Sequence, residues 1–384
     1  MIKGYIFYKE GKIPFVIKEY RMELFSDDKL LDDFVKEYNF KTDYILEGEY
    51  YRNGIKGQKA KFLVESSMGS TCYLRCFIIC MLSSEGDYDS IGFQSPFLDD
   101  VFRYKYKYLE MIRSGVNLAV EPKDAYKIPI VMNDLQYNLV FRVGHDNRLG
   151  LLEDFDRKGE LLIKLHSGDI RECYDASIVL HRLAMFMTSH ADPQFKYVTL
   201  YKNGLKAGWF YCPQVSEEAL SAYATFFDEL DVMKYVPKIL NNIALDSGNK
   251  ITKSIPLGHL SNHDSTFSPQ RFVEQIMAFE YLFEKLEHKK AKDSKFPLKE
   301  ELKYMFEQFP QLLKNTGFTS DDISDKIKET RRTIAHGYAY YYDFKGDAIS
   351  QYQIILLDRL IRNMSLLWMG FTKQEIADYP IHII

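Results

Sequence analysis

Glu329-Thr330-Arg331-Arg332-Thr333-Ile334-Ala335-His336-Gly337-Tyr338 decides how the C-terminal part of this chain is read. The stretch lies within a helical pattern expected to run from Asp321 to Tyr342. In a helix a five-residue step turns the chain by about 500° and rises roughly 7.5 Å, so Arg331 and His336 flank one groove about a turn apart. Arg332 and His336, four apart, fall nearly in line on one face. A guanidinium and an imidazole suffice for metal-free cleavage of RNA. The imidazole moves the proton of the attacking 2′-hydroxyl or of the leaving 5′-oxygen, and the guanidinium stabilises charge on the phosphorane-like transition state. Arg suits this better than Lys because its planar fork meets two phosphate oxygens at once. DNA lacks the internal nucleophile. The same residues also describe a helix end, where a His before Gly meets the last carbonyls and the negative end of the helix dipole.

Around this stretch the pattern is helical. Further helices are expected over Pro269–His288, Lys299–Gln308 and Ala348–Met369, with a short turn over Thr372–Asp378. Another opens at Ser216-Glu217-Glu218 and reaches about Leu230. Between them, the polar stretch Asp246–Ser268, with Gly248, Pro256 and Gly258, reads as a long loop or linker. On the first long helix, Glu280 is placed to pair with Arg331 and hold its fork. Its competing reading is a solvated residue at the edge of the Ile276, Phe279, Phe283 stripe.

The region resembles the HEPN superfamily of ribonucleases, whose signature is Arg, a polar residue, a few variable positions and His on the third main helix of a small bundle. Arg331 and His336 match it, and Tyr338 extends the match to an RxxxxHxY form. The polar position, usually Asn, Asp or His, is here Arg332, a departure that bears on fine positioning more than on the chemistry. With a β-rich half in front, the arrangement is similar to ApeA-like proteins of bacterial anti-phage defence. The resemblance implies a homodimer whose motif helices face each other across an RNA-cutting cleft. It also implies an N-terminal half that senses a phage-derived trigger, so that RNA cleavage ends in abortive infection. An alternative keeps the fold as a non-catalytic RNA-binding or toxin-neutralising module, and a third makes it a dimerising scaffold in which Arg331 forms an internal ion pair. Tyr338 and Tyr340 either meet a base or phosphate or pack a dimer interface.

The preceding half, to about Tyr211, reads as short aromatic and β-branched runs broken by turn residues. Examples are Tyr5–Tyr8, Lys12–Ile17, Tyr44–Tyr50, Ala60–Val64, Cys72–Leu82, Ile128–Met132, Leu139–Val143, Glu160–His166 and Tyr197–Tyr201. Asn53-Gly54 and Asn203-Gly204 are hairpin turns. Helices are expected near Lys29–Tyr38 and over Ile170–Ser189, the latter capped by Asp169. The fold class is therefore α+β: a β-rich domain over residues 1–212, then a helical domain over 213–384 whose core helices begin near 269.

Composition agrees with two folded domains: 384 residues exceed one ordinary unit, and 46% hydrophobic and 15% aromatic content exclude a disordered chain. A net charge of −4 gives no general attraction to a phosphate backbone, so an RNA site must be a local patch. Five cysteines, an odd number, and no leader point to a reducing cytoplasm, and no apolar run is long enough to cross a bilayer. Cys72, Cys76 and Cys80 share one face of a strand and read as buried thiols rather than zinc ligands; His259, His263 and Asp264 lie in the loop and read as linker. Lys285, Lys289, Lys290, Lys292 and Lys295 make a basic run, read as a solvated helix end before an RNA track. No metal or cofactor is expected, and no phosphate-binding or dinucleotide fingerprint occurs.

Overall fold

Strand alternation builds the first part of the molecule. A computed structural model describes residues 2–26, 29–51, 57–81, 87–101, 114, 123–132, 134–145, 157–188, 193–216, 229–245, 269–288, 296–336 and 348–378. Among the described residues twelve strands form one antiparallel sheet: β1 (Ile2–Tyr8), β2 (Gly11–Lys18), β3 (Arg21–Leu24), β4 (Thr42–Tyr50), β5 (Gln58–Met68), β6 (Thr71–Cys80), β7 (Ser90–Gln94), β8 (Lys123–Met132), β9 (Leu135–His145), β10 (Arg157–Lys164), β11 (Tyr197–Lys202) and β12 (Leu205–Tyr211). Their order is β3-β2-β1-β4-β5-β6-β12-β11-β7-β10-β9-β8, and β3 also pairs with β6. The first six strands thus close into a barrel, which abolishes their edges.

The period of two decides what fills it. Ile6, Tyr8, Ile13, Phe15, Ile17, Phe62 and their neighbours point inward and are buried, while Lys3, Tyr5 and Phe7 point out. Helix α1 (Lys29–Tyr38) adds Phe34, fully buried against Tyr8 with ring centroids 5.3 Å apart. Where β1 and β4 run together, a Cβ on Gly4 would meet the Glu49 carbonyl oxygen at 1.9 Å, so only glycine permits that approach.

Among the described residues eight further α-helices follow: α2 (Pro96–Val101), α3 (Ile170–Thr188), α4 (Glu229–Leu245), α5 (Pro269–Leu286), α6 (Leu298–Gln308), α7 (Ser320–Ala335), α8 (Ala348–Trp368) and α9 (Lys373–Asp378). As expected, Asp169 caps α3, its Oδ1 accepting from the Arg171 amide at 2.9 Å. The described fold is α+β, a β-rich part followed by a helical part. The chain divides into two compact units. One takes in β1 to His181 and then β11 and β12; the other takes the last turns of α3 and everything from Lys234 on. In the helical unit α6 packs on α7 and α5 on α8, around buried Phe272, Phe279, Phe283, Phe306, Ile323, Ile327 and Leu357. No described helix is long and apolar enough to cross a membrane.

One expectation needs correcting. The motif helix does not run on to Tyr342: α7 ends at Ala335, and His336 is its C-cap at φ −92°, ψ 7°. A glycine next in sequence, Gly337, is the residue with which helices commonly stop. Tyr338, Tyr340, the Asn53-Gly54 turn, the Asp246–Ser268 stretch with its two histidines, most of the helix expected from Ser216, and Lys289 to Lys295 lie outside the described residues.

Candidate functional site

The site is laid out by α7. Thr319 starts it with a capping box: its hydroxyl accepts from the Asp322 amide and its own amide donates to Asp322 Oδ2, both at 3.1 Å. Lys299 of α6 spans Asp321 at 3.3 Å and Asp325 at 3.2 Å, tying the first turns to the neighbouring helix. Ile323 and Ile327, four apart, bury the inner face. Thr330 then donates to Gln353 Oε1 of α8 at 2.9 Å. The residue after this tether is Arg331.

From there the Arg331 guanidinium reaches α5. Its Nη2 lies 3.3 Å from Glu280 Oε1, and the two side chains are 48% and 40% exposed. The expected stripe on α5 is present, with Ile276, Phe279 and Phe283 buried, and Glu280 at its edge takes the pairing role. Arg332 is turned away and lies 3.8 Å from Glu329 on its own helix. His336 is exposed and held through its backbone, its amide donating to the Arg332 carbonyl at 3.1 Å. The structure therefore joins Arg331 to Glu280, keeps Arg332 apart from them, and puts His336 at the helix end instead of on its face.

Sequence reasoning missed Glu301, on the first turn of α6. Burial, and then the like charge of Glu280, push its carboxyl up to about 7. Glu301, Glu280 and Arg331 thus form a charged cluster drawn from three helices, in which one carboxyl titrates near neutrality. In sequence Glu300-Glu301 reads only as two acids favoured at a helix N-terminus, and nothing there marks the second as special.

The cysteines behave as expected of core thiols. Cys72, Cys76 and Cys80 are buried, and desolvation raises all three, Cys72 and Cys80 to about 11. Among the described residues no His, Cys, Asp or Glu group has the arrangement of a metal site. In the barrel-bearing unit a cleft of about 230 Å³ is lined by Tyr137, His166, Arg171 and Glu172 among others. Glu172 is already engaged there. Burial opposes its charge, but the His166 amide at 2.6 Å and the Ser167 amide at 2.9 Å outweigh that and hold its carboxyl below the ordinary value.

What the fold defines is an α+β protein with a closed barrel in one unit and an Arg–Glu pair on paired helices in the other. No family model, curated protein or solved structure matches the chain.

Proposed function

We propose that the protein is a metal-independent endoribonuclease of the HEPN type that acts as a homodimer in bacterial anti-phage defence. The observation that carries this reading is the Arg331–Glu280 pair. In it the guanidinium stays about half exposed at the surface, beside a carboxylate and five residues before an exposed histidine. In the proposed reaction an RNA 2′-hydroxyl attacks the adjacent phosphorus. Its proton passes to His336, Arg331 donates to the non-bridging oxygens, and the bond to the 5′-oxygen breaks. That oxygen takes up a proton from His336 or from its twin in a second subunit, leaving a 2′,3′-cyclic phosphate and a 5′-hydroxyl. The barrel-bearing half is assigned to sensing the phage trigger.

A second reading keeps the helical unit as a non-catalytic RNA-binding or toxin-neutralising module. The specific observation in its favour is Arg332, which stands at the usual polar position and faces Glu329 instead of the Arg331 cluster. Expression of the wild type, Arg331→Ala and His336→Ala separates the two. Growth arrest and RNA cutting that survive EDTA and vanish in both variants support the nuclease. Intact RNA with retained binding supports the module.

A further inference from the structure

The outer face of the barrel carries a second feature that the proposed reaction does not use. Tyr5 and Phe7 of β1 and Tyr51, just beyond β4, are 38%, 39% and 38% exposed. They are not scattered. Tyr5 and Phe7 are alternate residues on one strand and so share its outer face, about 7 Å apart. Tyr51 lies alongside, its amide donating to the Lys3 carbonyl at 3.1 Å and its ring edge-on to Tyr5 at 5.5 Å between centroids.

Lysines frame these rings. Lys12, opposite Phe7 in register, holds its ammonium 5.2 Å from the Phe7 ring centre. Lys3 shares the face of Tyr5; on the other side Glu49 of β4 pairs directly with Tyr5, and Lys59 and Lys61 of β5 stand one strand farther out, opposite Glu49 and Glu47. The outer face of these strands thus carries four lysines against two glutamates, with Lys3 and Lys12 nearest the rings. One of those acids, Glu49, is held by Lys12 at 3.1 Å and by the Tyr51 hydroxyl at 2.6 Å. The result is a positively charged, aromatic sheet face on a chain whose net charge is −4.

We infer that this face, centred on Tyr5, Phe7 and Tyr51, binds single-stranded RNA, with bases stacked on the rings and phosphates met by the lysines. Stacking with little demand on base identity, combined with a basic surround, is how single strands are held without sequence readout. A duplex offers no free base faces to the rings. A protein partner with an acidic, apolar surface is the competing occupant. It is disfavoured because the three rings are each little more than a third exposed and are bordered by charged side chains, so the apolar patch they make is small. The choice of RNA over DNA rests on the nuclease reading; the stacking and charge argument does not.

The test uses the full chain in an Arg331→Ala background, so that the probe stays intact whatever that residue does. A fluorescent 12-nucleotide oligouridine is titrated with this protein and with a form that also carries Tyr5→Thr and Phe7→Thr; threonine keeps the strand propensity. About tenfold weaker binding is expected for each ring removed. Lys59→Ala and Lys61→Ala should each lower the slope of log affinity against log salt by roughly one. Unchanged thermal melting of the threonine form shows that the barrel is intact. Equal binding by the threonine form, equal binding of a duplex, or no binding of any oligonucleotide overturns the inference, the last leaving the face to a protein partner. Equal binding of the matching DNA strand overturns the choice of RNA. None of these outcomes depends on whether Arg331 cuts.

Discussion

Arg331 Nη2 and Glu280 Oε1 stand 3.3 Å apart and bridge α7 to α5. Both side chains remain close to half exposed, so the pair adds little to stability, no more than about 1 kcal/mol. Its consequence is orientational, because a guanidinium held from one side presents its remaining donors in a fixed direction. Glu280→Gln is therefore expected to leave the melting temperature nearly unchanged while slowing RNA cleavage by about tenfold to 100-fold through misplacement of the fork. Single-turnover cleavage read alongside a melting curve decides it. Equal rates for Glu280→Gln and wild type would sink the positioning role.

Glu301 gives a pH dependence whose sign follows from its raised carboxyl. The folded chain keeps the proton up to about 7, whereas an ordinary glutamate releases it near 4.5. Between those values the folded state binds more protons than the unfolded state, so stability falls as pH rises. The contribution is complete below about 4.5 and lost once pH passes 7. Glu301→Gln removes the titration, so its melting temperature should fall less than that of wild type from pH 5 to pH 8. Asp321, Asp322 and Glu375 are shifted downward and act at lower pH, which the variant-minus-wild-type difference cancels. Parallel curves for the two proteins would refute the assignment.

The capping box at Thr319 holds the N-terminal end of the same helix. Thr319→Ala leaves the Asp322 amide without its side-chain acceptor and should cost about 1 kcal/mol. Hydrogen exchange localises the loss: amides in the first turns of α7 should exchange faster, with those in the barrel strands unchanged. A uniform change across both units would mean that the cap is not a local determinant.

Much of this architecture was legible because aromatic and β-branched runs stand between turn residues. In β1 and β2 burial alternates with period two, but Tyr5 and Phe7, Pro14 and Val16 make the outer faces apolar as well, so the runs mark the strands without marking which face turns inward. The elements that escaped notice have physical reasons. β3 follows a turn at Glu19 and Tyr20 with φ of 49° and 62°, positive values at residues that do not advertise such a turn as Asn-Gly does. β7 reads Ser-Ile-Gly-Phe-Gln and is buried on both faces over its first four residues, so it shows no alternation. For the candidate site, Arg331, Glu280 and their stripe could be placed from helical spacing. The end of α7 at Ala335 carried two opposing signals: His336 before Gly337 marks a helix end, while the apolar and polar pattern continues past it. Glu301 was invisible because its character depends on Glu280 arriving from a distant segment.

A buried network in the barrel-bearing unit yields the largest expected stability effect. Glu160 of β10 is 1% exposed; its Oε1 accepts from the Tyr201 hydroxyl of β11 at 2.6 Å and from Gln94 of β7 at 3.2 Å. Its Oε2 accepts from Arg142 Nη1 of β9 at 2.8 Å. One carboxylate thereby ties four neighbouring strands, and the backbone leaves room for it: a Cβ on Gly92 would come within 2.5 Å of Glu160 Oε1. Removing the arginine strands the carboxylate in the sheet, so Arg142→Ala is expected to cost about 3–5 kcal/mol. Glu160→Gln should cost less, because Arg142 keeps Asp124 at 3.5 Å and some access to water, while the amide can still accept from Tyr201. Urea unfolding of the two variants tests the order. If Glu160→Gln proves the more damaging, stranding the carboxylate is not the larger cost, and the loss of a counter-charge for Arg142 outweighs it.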